Sequence, residues 1–230
     1  MLNKQIMINT KLNALFQSWK NDMTQNGDIG FCEDGLIYRN GNENKLWQDS
    51  KRKILFLLKE NNDNDGQDVR EWTGSINGYS PNGLFYNRLS AWLYGLTNYT
   101  TNSYPTIEDA FNARNQMKAL SEYPYAYVNV KKKSGGATAD DSVIYDFGKR
   151  YANYLRQELD ILSPSIIVCG GQVVFNVATD IIYKELTFIQ KNSWVYYNEK
   201  NNLILINSFH PTARKSHEEM YGWMMENIVK

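Results

Sequence analysis

Four short apolar runs constrain this chain more than any other feature. "KILFLL" (53–58), "YAYVNV" (125–130), "SIIVCG" (165–170) and "LILINS" (203–208) are near-continuous rather than alternating. A strand that is apolar on both sides has to be covered on both sides, as inside a parallel sheet with helices on its two faces. Helical sequence lies between the runs. Leu12, Leu15, Phe16, Trp19 and Met23 mark an amphipathic first helix that ends near Asn26-Gly27. "GLFYNRLSAWLYGL" resumes helical spacing, and Thr106 with Asp109 reads as a helix start. A long helix is predicted over about 142–162, stopped by Ser163-Pro164, and others over 172–186 and 216–229. "FCEDGLIYRNGNENK" reads as an irregular hairpin or loop, and "WVYYNEKNNLILINS" as a hairpin. The expected fold is α/β: a three-layer α/β/α sandwich with a mainly parallel four-stranded central sheet. The 230 residues suit one domain over 1–230, with the helix and hairpin of about 1–50 as an extension.

A formal net charge of zero excludes a protein that coats nucleic acid by bulk charge and leaves room for a local basic patch. The two cysteines, Cys32 and Cys169, are far apart and form no paired motif, so neither a disulfide framework nor a metal site follows from them. The N-terminal stretch lacks the apolar core of a signal peptide, and no stretch approaches membrane-spanning length. A cytoplasmic protein with no membrane partner is expected.

Ligands of open α/β sheets bind beyond the carboxyl ends of the strands. The residues there are Lys59 to Asp63, then Asn129 with Lys131, Lys132 and Lys133, then Gly170-Gly171, then His210-Pro211-Thr212. Amides at such a rim can read a polar ring, and a histidine can donate to it or accept from it. Blander readings stand beside these. "NNDNDG" is also a turn-forming loop, and as a calcium loop it would place Trp72 where the bidentate glutamate belongs. The lysine run is also a plausible solvated stretch. "GGQVV" lacks the Lys-Ser/Thr of a phosphate loop, and His210 and His217 do not have the spacing of a metal pair.

Taken in order, the segments resemble the uracil-DNA glycosylase superfamily, most closely its bacterial iron–sulfur branch, over roughly 53–215. "ILFLLKENN" is similar to the family's water-positioning loop, with Glu60 and Asn61 at its polar positions. "GYSPNGLFYNRLSAWL" is similar to the following helix, with Tyr79 near the residue that stacks on the base. "YAYVNVKKKSGG" puts Asn129 where an asparagine reads the uracil edge. "YLRQELDILSPSIIVCGG" resembles the family's helix–strand stretch, and "FHPTAR" its His-Pro-Ser motif, with Arg214 at the wedge position. Lys59 replaces the loop glycine, Asn62 replaces the proline, and the cluster cysteines are absent.

The resemblance implies hydrolysis of the N-glycosidic bond of uracil, or another deaminated base, flipped out of DNA. It implies His210 as the donor to the developing carbonyl charge, and Glu60, Asn61 or Asp63 as the residue that positions water. Asn129 and Tyr79 would bind the base. Lys131, Lys132, Lys133, Thr212 and Arg214 would contact the DNA. No metal, iron–sulfur cluster or other cofactor is expected, the partner is DNA containing a deaminated base, and the protein is expected to be a monomer. Two alternatives stay open: a nucleic-acid or nucleobase binding module that has lost hydrolysis, and a hydrolase of free nucleosides or nucleotides.

Overall fold

Each apolar run becomes a strand because only the middle of a covered sheet accepts its side chains. The structure, a computed structural model, describes residues 7–62, 65–74 and 83–229. In chain order the strands are β1 (Gly35–Leu36), β2 (Ile54–Leu58), β3 (Tyr125–Asn129), β4 (Ile166–Gly170), β5 (Ile189–Gln190), β6 (Val195–Asn198) and β7 (Leu203–Ser208). They form one mixed sheet of order β1-β3-β2-β4-β7-β6-β5. The four runs supply β3, β2, β4 and β7, which are mutually parallel. The expected four-stranded sheet is therefore corrected to seven strands among the described residues. β1 adds antiparallel to β3, and β6 and β5 add antiparallel beyond β7.

Successive side chains of the central strands enter two different cores, as the two-residue strand period requires. Leu55, Leu57, Ala126, Val128, Ile167 and Cys169 face α1 (Ile8–Gln25), α7 (Asp141–Arg150), α8 (Ala152–Leu162) and α9 (Gln172–Asn176). Ile54, Phe56, Tyr125, Tyr127, Ile166 and Val168 face α4 (Leu84–Asn98), α6 (Ala113–Glu122) and α10 (His217–Val229). Two short helices, α2 (Glu43–Asp49) and α3 (Val69–Gly74), precede α4, and α5 (Ile107–Ala110) precedes α6. The Thr106 side chain caps α5 by accepting from Asp109 N–H at 3.2 Å.

Two helical expectations change in detail. The helix over 142–162 is two helices, because Tyr151 leaves helical geometry at φ −108°, ψ 25°. The helix predicted over 172–186 is α9 followed by a π-helical turn at Val177–Ile182. The stretch read as an irregular hairpin or loop contains β1 and runs into the first turn of α2, whose Trp47 is buried and donates to the Leu162 carbonyl at 2.8 Å. Residues before 50 are part of the core: Trp19 is fully buried, α1 packs on α8, and β1 extends the sheet. Among the described residues no helix is long and apolar enough to cross a membrane.

The register fixes where a site can form. Leu58 stands beside Asn129, Leu57 beside Cys169, and Gly170 beside Ser208. The parallel strands thus end along one rim, and the loops that follow them emerge together.

Candidate active site

The loops after β2 and β3 continue to pair beyond the strands. Val130 N–H donates to the Leu58 carbonyl at 2.8 Å, Lys131 N–H to Lys59 at 2.9 Å, and Gly135 N–H to Asn61 at 2.8 Å. This ladder holds Lys59 to Asn62 extended along the rim. Glu60 lies directly over Gly135, where a Cβ would fall 1.9 Å from its carboxylate. Its side chain is 8% exposed and ion-paired with Lys131, which also donates to the Ser134 carbonyl at 3.2 Å.

Asn129 closes β3. Its backbone N–H donates to Asp34 Oδ2 at 2.8 Å, and its side-chain Nδ2 donates to Asn61 Oδ1 at 2.8 Å. The touching amides leave Asn129 Oδ1 and Asn61 Nδ2 buried without a partner. Turning both amides over exchanges the residues but still leaves one donor and one acceptor. A buried amide group without its hydrogen bond costs about 1–3 kcal/mol, so this pair is poised to gain from a ligand with the matching edge.

The lysine run divides. Lys132 is corrected as a DNA contact: it is fully buried, paired with Asp34 and with Glu158 Oε2 at 2.8 Å, and lies over the Trp19 ring at 5.3 Å. Burial pushes the Glu158 carboxyl well above its usual range, opposed by the Lys132 charge. Lys131 is mostly buried, and its ammonium is paired with Glu60. Lys133 is half-buried and bridges to Phe31.

His210 follows β7 in a loop fixed from below. Arg88, buried on α4, donates to the carbonyls of Pro211 at 2.8 Å, Ala213 at 2.7 Å and Lys215 at 2.6 Å. His210 Nδ1 accepts from Thr212 N–H at 3.2 Å and lies 2.8 Å from the Thr212 hydroxyl. A ring nitrogen that accepts a backbone N–H carries no proton, so the neutral imidazole has its N–H at Nε2. Burial lowers the His210 pKa to about 4, with the Lys59 charge contributing. The ring is therefore a neutral donor at physiological pH.

These groups surround a cleft of about 660 Å³, within the range of small-molecule sites. Lys59, Glu60, Asn61, Phe85, Tyr127, His210 and Thr212 line it. The Phe85 ring is 5.9 Å from His210 and 6.0 Å from Tyr127. The structure brings His210, Glu60, Asn61 and Thr212 to this cleft, with Asn129 behind Asn61. Arg214 is exposed on the same loop. Asp63 and Tyr79 lie outside the described residues. Phe85, Tyr86 and Tyr127 were not singled out from the sequence as site residues, though the first two open the helix "GLFYNRL" and Tyr127 lies within an apolar run. No group of three or more His, Cys, Asp or Glu residues among the described ones is arranged to hold a metal. No protein-family model matches this chain, and no curated protein matches it.

Proposed function

We propose that the protein hydrolyses the N-glycosidic bond of uracil, or of another deaminated base flipped out of DNA, on a uracil-DNA glycosylase-like fold. The observation that carries this reading is His210, a neutral donor through Nε2 in a cleft walled by amides and aromatic rings. As the bond to the base breaks, negative charge grows on a ring carbonyl oxygen. A preorganised donor at that oxygen stabilises the transition state more than the ground state. Asn61, with Asn129 behind it, would offer the base edge a donor and an acceptor, and Phe85 would offer an aromatic ring. Arg214 would fill the gap left in the stack, and Lys133 would contact a phosphate.

The test uses single-stranded and mismatched oligonucleotides carrying uracil, hypoxanthine or xanthine, treated with alkali to cleave abasic sites. Wild type should release a base, and His210→Ala should be slower by about 10²–10³-fold. Equal rates for the two proteins would reject the role of His210.

One observation favours a second reading, a binding module that has lost hydrolysis. Glu60 is tied to Lys131 and Asn61 to Asn129, so each has a partner that competes with an attacking water. Salt-sensitive DNA binding without base release would support it.

A further inference from the structure

Lys59 has no part in the reaction above, yet it is the only lysine or arginine among the described residues that line the cleft. The turn after β4 brings it to His210. A Cβ on Gly170 would lie 3.6 Å from His210 Cδ2, and one on Gly171 would lie 3.5 Å from Lys59 Cε. The two side chains therefore lie over adjacent glycines. Neither glycine is replaceable without cost, since Gly171 has φ +121° and a Cβ on Gly170 would fall 2.4 Å from Leu58 Cδ2. The Lys59 charge also contributes to the lowered basicity of His210.

Lys59 Nζ is 2.6 Å from Asp141 Oδ1, but the Asp141 side chain is 61% exposed. An ion pair open to water adds little to a fold and is easily exchanged for another anion. The pair therefore does not account for a lysine that lines the cleft.

The geometry points to Lys59 as a second stabilising group for the anionic leaving base, acting with His210. This deepens the glycosylase reading and rests on it. The bond from C1′ to the base nitrogen breaks, and both electrons pass to the ring, whose charge spreads onto its carbonyl oxygen. His210 Nε2–H and the Lys59 ammonium hold that charge. The oxygen of water bonds to C1′ and loses one proton to solvent, and the released base takes one proton up. The sum is addition of one water. The substrate class is a base with an acidic ring N–H, which departs readily as an anion.

The experiment compares wild type with Lys59→Met and Lys59→Arg on oligonucleotides bearing uracil and the more acidic 5-fluorouracil, in single turnover. Lys59→Met should slow uracil release by on the order of a hundredfold and 5-fluorouracil release by less, while Lys59→Arg restores most of the rate. Equal slowing of both bases would mean a structural role and overturn the proposal. A second arm measures binding of free uracil and of 5-nitrouracil, which is ionised at neutral pH. Wild type should prefer 5-nitrouracil, Asp141→Asn should strengthen that preference, and Lys59→Met should abolish it. The same preference in wild type and Lys59→Met would overturn the proposal even if no base is released. Absence of release from every oligonucleotide would reject the glycosylase reading alone, and the free-base arm would still decide for or against Lys59.

Discussion

At the scale of single residues, His210 makes the sharpest prediction. Its folded pKa of about 4 lies below the ordinary histidine value of 6.5. The unfolded chain therefore binds the proton more tightly, so the stability due to this group is complete above the ordinary value and is lost as pH falls through about 4. NMR of the imidazole should show the Nε2–H tautomer at neutral pH and a titration midpoint near 4. A ring protonated at neutral pH, or an Nδ1–H tautomer, would remove the neutral Nε2 donor from the proposed mechanism. His210 could be placed at the rim from the sequence, because a strand end followed by His-Pro is local information. Its tautomer could not, since that depends on the Thr212 N–H folding back onto Nδ1. Lys132 shows the opposite failure. Three lysines in a row look alike, and only the helices over the sheet decide which ammonium is buried. Lys132→Met would leave Asp34 and Glu158 without their cation and should destabilise by about 3–5 kcal/mol in denaturant unfolding. Unchanged stability with weakened DNA binding would return Lys132 to the phosphate role.

At the scale of elements, the site depends on loops that the scaffold holds rigid. Arg88 satisfies three carbonyls of the loop after His210 from a position on α4. Arg88→Met keeps much of the stem and removes all three donors, and it should cost at least about 2 kcal/mol. The matching structural readout is loss of the Thr212-to-His210 hydrogen bond, seen as a broadened His210 signal and a midpoint drifting toward the ordinary value. Gly170→Ala should cost about 1–3 kcal/mol by overpacking against Leu58, with thermal unfolding as the measure. The parallel strands were legible because residues covered on both faces leave a continuous apolar run. β1 and β5 were not, because each has only two residues and takes its identity from a partner distant in sequence. The break at Tyr151 was hidden as well: residues on both sides of it keep helical spacing, and no Gly or Pro stands next to it.

At the scale of the whole molecule, groups from distant parts of the chain meet at one rim. Asp34 lies before the first central strand, yet it holds the backbone of Asn129 and the ammonium of Lys132. β7 comes last among the strands but sits inside the sheet, between β4 and β6. Contacts this far apart in sequence form late, because the loops that join them must close first. On the ribosome, therefore, the middle of the sheet stays unfilled until residues 203–208 have emerged, and His210 and the Arg88 clamp follow them. A nascent chain carrying Lys59, Asn61 and Asn129 has residues proposed to bind a base but lacks His210 and Thr212 from the cleft wall. The cleft, and the chemistry proposed for it, therefore form in the same step that closes the sheet around β7.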